Sequence, residues 1–156
     1  MELENSLEVD LRELNDNYRK LSVHQRVEQL YNDFKEDEIM LTSSFASTSA
    51  FLLKVFSDVN KSQKIYFIDT GYHFNETLIY KDYLIKLYDL NVEDVSADQW
   101  KHKFTTEDQT WKKDPNYCCS INKVEPLQSI KDDHKVSPEE FKIYSKKRKA
   151  DITTIV

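Results

Sequence analysis

The feature that most restricts the fold is an alternation in the middle of the chain. Two short apolar runs, "EIMLTSSF" and "KIYFIDTGYHF", are each followed by a segment of helical periodicity, "STSAFLLKVFSDV" and "NETLIYKDYLIKLYDL"; "NVEDVSA" follows as a weak third strand. The second run is the clearest strand, rich in β-formers and closed by the turn signal Asp69-Thr70-Gly71. Strand–helix–strand–helix–strand order predicts an α/β fold, a parallel sheet flanked by helices through right-handed crossovers. Ligands of such sheets sit at the carboxyl ends of the strands. Both "TSSF" and "DTGYHF" fall there, so chemistry is expected at those two turns.

Around this centre the chain reads as one domain over residues 1–156. Residues 1–36 carry apolar positions at helical spacing, which predicts two N-terminal helices, the second capped by Ser22. Residues 98–117 are polar with Trp100 and Trp111, a loop or lid, and "KVEPLQSI" opens another helix. Residues 137–156 form a tail with a basic cluster at Lys146 to Lys149.

Charge narrows the function classes. A net charge of −6 argues against a general nucleic-acid or membrane-surface binder. No run approaches the roughly 18 apolar residues of a membrane span, and the acidic, amphipathic N-terminus does not read as a signal peptide. Two cysteines without a secretory context favour a reducing, cytoplasmic setting.

Three stretches carry candidate chemistry. In "TSSFASTSA" a strand-to-helix turn offers free backbone N–H groups and hydroxyls to an anion, although plain serine capping would look the same. In "FIDTGYHFNET" Asp69 could bond a ribose hydroxyl or order its loop, and Gly71 permits a turn closed to residues with a Cβ. His73 is either an anion donor or a structural hydrogen-bonder, and Asn75 is a candidate helix cap. In "DPNYCCSINKVEPL" Cys118 and Cys119 are soft ligands suited to iron–sulfur or zinc, but such sites take four ligands and the pair supplies half. His102 and His134 are nearby imidazoles without a familiar zinc spacing, and Lys123 and Glu125 are candidates for an ion pair.

Together these stretches resemble the adenylyl-sulfate/phosphoadenylyl-sulfate reductase family, whose domain is of the adenine-nucleotide α-hydrolase (PP-loop) type. The family's S-S-F-G-x-x-S-x-x-L-L stands here as Ser43-Ser44-Phe45-Ala46-Ser47-Thr48-Ser49-Ala50-Phe51-Leu52-Leu53. F-[IL]-D-T-G-Y-H-F-P-E-T is matched by Phe67 to Thr77, with Asn75 in the proline position. C-C-x-x-x-K-V-E-P-L is matched at Cys118, Cys119 and Lys123 to Leu127. The resemblance spans roughly residues 20–135.

The resemblance implies a protein of assimilatory sulfate reduction, taking adenylyl sulfate or phosphoadenylyl sulfate to sulfite and AMP with a thioredoxin-like reductant. Ser43, Ser44, Phe45 and Ser49 would form the phosphate loop, Asp69, Thr70 and Gly71 the second nucleotide-facing turn, and Lys123 would meet the sulfate. Cys118 and Cys119 would be two of the four ligands of a [4Fe–4S] cluster, the mark of the adenylyl-sulfate type. No nucleic acid or membrane partner is implied, and a homo-oligomer is left open.

Three departures qualify this. The family's remaining cluster cysteines and its nucleophilic cysteine lie beyond the point where this chain ends, which reads as a C-terminally short or reduced relative. The W-x-[ST]-G-x-R block is not recognisable in "HKVSPEEFKIYSKKRKAD", where only Arg148 is a weak counterpart. Ala46 stands for the loop glycine. A non-catalytic nucleotide-binding or partner subunit is therefore the alternative, and a related PP-loop reaction that releases pyrophosphate from ATP is a third reading, against which the paired cysteines with "KVEPL" speak.

Overall fold

The computed structural model of the protein describes residues 12–133. Contacts divide the described residues into two compact units, residues 12–35 and residues 36–133.

In the first unit residues 12–19 are helical and helix α1 spans Val23–Asp33. Ser22 caps α1 as its sequence suggests, in a reciprocal box: Gln25 N donates to Ser22 Oγ, and Ser22 N donates to Gln25 Oε1. Arg26 Nε donates to the Tyr18 and Leu21 carbonyls, and Tyr18 Oη donates to Asp33 at 2.7 Å. The two helical segments are thus joined by charge-assisted bonds to backbone that helix ends leave unpaired.

The second unit is built on three parallel strands in the order β1 (Leu41–Thr42), β2 (Lys64–Asp69), β3 (Asn91–Ser96). Helix α2 (Ser49–Val59) connects β1 to β2, and α3 (Asn75–Tyr88) connects β2 to β3. Two steps in the same direction with right-handed crossovers place both helices on one face of the sheet. The period-2 alternation of β2 then divides its side chains. Ile65 and Phe67 enter a core with Phe45, Leu53 and Leu84, whereas Tyr66 points to the opposite face with Met40 and Ile130. Ile130 and Leu127 belong to α7 (Glu125–Asp133), which covers that second face.

One inward position on α3 is a lysine. Lys81 is buried, its Nζ lying 2.6 Å from Asp94 Oδ2 on β3 and 4.4 Å from the centre of the Phe67 ring. An ammonium out of water is tolerated here because a carboxylate and an aromatic face both meet it.

Three local expectations are corrected, and the cysteines find their element. The first strand is much shorter than "EIMLTSSF": Glu36–Glu38 form a 3₁₀ turn, and the ladder stops soon after Thr42 because Phe45 adopts a left-handed φ of 53°. Helix α3 starts at Asn75 with Phe74 at the cap position and no side-chain cap bond, so Asn75 is not the cap. Residues 98–117 are helical rather than a loop: α4 (Gln99–Glu107), α5 (Thr110–Lys113) and the start of α6 (Pro115–Cys119). The polar look of that stretch misleads because its inward positions are threonines. Thr105 and Thr110 are buried with their hydroxyls bonded to the His102 carbonyl and Asp108, while Trp100, Phe104 and Trp111 face outward. Finally, the cysteines lie on α6, which Asp114 caps by accepting from Tyr117 N, with Pro115 in the first turn. A π turn, Ser120–Val124, links α6 to α7. It widens the helix just before Pro126, which cannot donate to the preceding turn.

Candidate functional site

Two turns leave the carboxyl ends of the adjacent strands β1 and β2. The first holds Ser43, Ser44, Phe45 and Ser49. Ser43 N donates to the Tyr66 carbonyl at 3.1 Å, the last rung between β1 and β2, and Ser43 Oγ accepts from Phe45 N at 3.1 Å. That bond turns the backbone into the left-handed region at Phe45, whose ring is 1% exposed and meets Phe67 edge-on at 5.7 Å. The Phe45 side chain is therefore a core anchor, and only its backbone lies on the loop. Ala46 is not among the positive-φ residues, so the residue standing for the loop glycine is in a conformation open to alanine. Ser44 is exposed, and Ser49 opens α2. Thr48, at the cap position of α2, makes no side-chain cap bond. The serine-capping alternative is thus not what forms, and the N–H groups of an eleven-residue helix start without a side-chain cap.

The second turn holds Asp69, Thr70 and Gly71. Gly71 N donates to Asp69 Oδ1 at 2.9 Å and Tyr72 N to Thr70 Oγ1 at 3.3 Å, two successive side-chain-closed turns. Gly71 has φ +72°, and a Cβ there would lie 2.4 Å from His102 Cε1. Only glycine fits beneath that ring. His73 is a structural hydrogen-bonder. Its Nε2 is 3.0 Å from the Ile68 carbonyl, to which it donates, and its ring packs on Phe67.

Cys118 is buried and Cys119 exposed, both free thiols. Neighbours on a helix point about 100° apart, which accounts for the split. Cys118 connects to the Gly71 turn through residues the sequence did not single out as a set. Asn122, 2% exposed, places Nδ2 at 3.0 Å from the Cys118 carbonyl, 3.1 Å from Thr105 Oγ1 and 3.6 Å from Cys118 Sγ. Its Oδ1 is 3.0 Å from His102 Nδ1. Tyr72, one residue past Gly71, packs its ring against His102 and Trp111 and brings its hydroxyl to 3.0 Å from Thr105 Oγ1. Gly71, His102, Asn122 and Cys118 therefore form one continuous contact path. Nothing in the sequence pairs positions 102 and 122. The available signal was an asparagine inside the cysteine block and a histidine that lacked zinc spacing.

Lys123 is exposed and has no ion pair or hydrogen bond among the described residues. The pairing considered between Lys123 and Glu125 does not form. Glu125 Oε2 instead meets Lys101 Nζ at 2.5 Å, and that bond raises the Lys101 pKa above the ordinary lysine value. Lys123 is left as a cation one turn beyond the cysteines.

The described residues do not by themselves fit a [4Fe–4S] cluster. They offer two thiols on different sides of a helix, and among them no group of three or more histidine, cysteine or acidic side chains could hold a metal ion. His102 is committed to Asn122 rather than to the thiols; His134 and the basic tail, with Arg148, lie outside the described residues.

Comparison with known proteins decides the family. The sequence model of the "Phosphoadenosine phosphosulfate reductase domain" family matches residues 38–138. The chain belongs to that family. A curated "Adenosine 5'-phosphosulfate reductase" of Chelativorans sp. (strain BNC1) is 34% identical over 125 residues, covering 77% of this chain and 50% of that protein. One of the same name from Bacillus mycoides (strain KBAB4) is 35% identical over 105 residues, covering 63% and 43%. The chain thus spans about half the length, or less, of these reductases. The crystal structure of phosphoadenylyl-sulfate reductase from Candida auris, a phosphate complex, superposes with a TM-score of 0.68 at 21% identity, over 80% of this chain and 62% of that one. At that identity the likeness speaks for the reductase-domain fold. No described helix is long and apolar enough to cross a membrane.

Proposed function

We propose that this chain binds an adenosine phosphosulfate, adenylyl sulfate or its 3′-phosphorylated form, as the nucleotide-binding part of a cytoplasmic reductase of activated sulfate. The observation that carries this is the family match over residues 38–138, with the two family turns at the carboxyl ends of neighbouring parallel strands. The loop Ser43–Ser49 and the uncapped start of α2 would receive the phosphate through backbone N–H groups. Asp69, Thr70 and Gly71 would face the nucleoside. Lys123, without a competing carboxylate, would meet the sulfate.

The reaction would be a two-electron reduction. Adenylyl sulfate and a thioredoxin-like dithiol give sulfite, AMP and a disulfide, with two protons released. A thiolate attacking the sulfate sulfur would displace AMP, and the dithiol would then release sulfite. No nucleophile is assigned to Cys118 or Cys119. A [4Fe–4S] cluster could use them as two ligands only if the other two came from outside the described residues. That dependence favours, as a second reading, a partner subunit that binds nucleotide without turning it over, alone or as a homo-oligomer.

The test is calorimetric titration of the purified protein with adenylyl sulfate, phosphoadenylyl sulfate and ATP, with sulfite and iron measured on the same preparation. Binding of an adenosine phosphosulfate at one site per chain is the expected result. Sulfite release with iron present would support the reductase, and binding without either would support the subunit. Failure to bind, or pyrophosphate release from ATP, would overturn the proposal.

A further inference from the structure

His102 lies between the Gly71 turn and Asn122, and its hydrogen bonds fix which nitrogen carries the proton. The Cys118 carbonyl can only accept, so the Asn122 atom 3.0 Å from it must be the amide NH₂. The same nitrogen faces Thr105 Oγ1, whose own proton goes to the His102 carbonyl at 2.9 Å. Asn122 Oδ1 is therefore an acceptor, and His102 Nδ1, 3.0 Å away, must be the donor. Neutral His102 is then held with a bare Nε2. That nitrogen has no hydrogen-bond partner among the described residues and would lie 2.7 Å from a Cβ on Gly71. The imidazole cannot swing away freely, because Tyr72 packs on it at 5.1 Å and Asn122 is nearly inaccessible.

We infer that His102 is a ligand-contacting residue whose bare Nε2 accepts a hydrogen bond from the nucleoside at the Asp69–Gly71 turn, with Asn122 as the positioning residue that sets its tautomer. This rests on the nucleotide reading above and adds a residue and a polarity to it. The recognised group is a donor, a ribose hydroxyl or the adenine amine, and not the anionic end of the ligand. A phosphate or sulfate oxygen offers no proton and would need Nε2 to be protonated.

The experiment is nitrogen NMR of the whole chain labelled at its histidines, His102 being assigned by comparison with His102→Gln. The free protein should show His102 Nδ1 protonated and Nε2 unprotonated near pH 7.5. AMP should shift the His102 Nε2 resonance while leaving that nitrogen unprotonated, and inorganic sulfate should not move it. Loss of the shift with 2′-deoxy-AMP would assign the donor to the 2′-hydroxyl; its persistence would point to the remaining hydroxyl or the amine. Asn122→Asp keeps an acceptor for Nδ1–H and should keep the tautomer, whereas Asn122→Leu should mix the two forms. If either variant fails to fold, the wild-type spectra alone decide. An Nε2–H tautomer in the free protein overturns the inference, as does protonation of Nε2 by sulfate. AMP binding by calorimetry without an Nε2 shift overturns it and leaves the nucleotide reading standing. Absence of binding by AMP and adenylyl sulfate would overturn both.

Discussion

The turns after β1 and β2 solve the same backbone problem in opposite ways. Each leaves a parallel strand at its carboxyl end and each contains a left-handed residue. After β2 that residue is Gly71, the only glycine in the chain, and the space a side chain would need is filled by the His102 ring. After β1 it is Phe45, whose ring is almost fully buried against Phe67. One turn obtains positive φ by having no side chain, the other by offsetting the strain with a large buried one. Positive φ therefore does not by itself call for glycine at position 46, where alanine stands.

This contrast can be broken by mutation. Phe45→Ala removes the anchor and keeps the strain, so it should cost about 3–5 kcal/mol in denaturant unfolding. Phe45→Gly loses the same ring but gains the left-handed freedom, and should be more stable than Phe45→Ala by about 1 kcal/mol. A less stable glycine variant would show that Phe45 carries no backbone strain. Gly71→Ala adds a left-handed penalty to a collision with His102, together about 2–4 kcal/mol. It should also abolish nucleotide binding in whatever fraction remains folded, because the ring and the turn cannot both keep their places.

The interior of the third strand supplies a control. Asp94→Asn on β3 withdraws the carboxylate from Lys81 and should cost about 1.5–3 kcal/mol, since the ammonium is buried and the lost bond is charge-assisted. It touches neither turn, so adenylyl-sulfate affinity should be unchanged. A parallel loss of affinity would mean that the sheet, rather than the two turns, sets the site.

The smallest effect lies at the opposite end of the sheet from the turns. The Glu36 carboxylate accepts from Asn60 and Ser62 at 2.8 Å each, and these bonds hold its pKa below the usual value. A lowered carboxylate contributes stability that is present above the unfolded pKa of about 4.3 and is lost as pH falls through the folded value. Glu36→Gln should flatten the acid limb of the stability profile slightly, with no effect at pH 7 beyond the altered hydrogen bonds.

The parts of this architecture that could be read from the sequence are those written in periodicity. The run "KIYFID" is continuously apolar between a polar start and a turn signal, as a strand covered on both faces must be, and the stretch from Asn75 to Tyr88 repeats at helical spacing, so β2 and α3 are evident from sequence. The family blocks located both turns and the cysteine pair. What stayed hidden depends on contacts between distant positions. Residues 98–117 look like a polar loop because their buried faces are made by Thr105 and Thr110, whose hydroxyls become apolar in effect only once each finds its partner. Lys101, not Lys123, neutralises Glu125 across 24 positions. The link from Gly71 to Cys118 runs through His102 and Asn122, which no local pattern joins. Phe45 sits inside the block that resembles the family's phosphate loop, yet its side chain is a core residue, a distinction that only the left-handed backbone explains.

The proposed function requires that the two turns form one nucleotide site. Hydrogen–deuterium exchange of the protein with and without saturating adenylyl sulfate tests it most directly. Slowed exchange is expected in residues 43–50 and 69–74 together, with the β3 and α3 amides unchanged. Protection confined to one turn, or found only around the Trp100 and Phe104 face of α4, would contradict it.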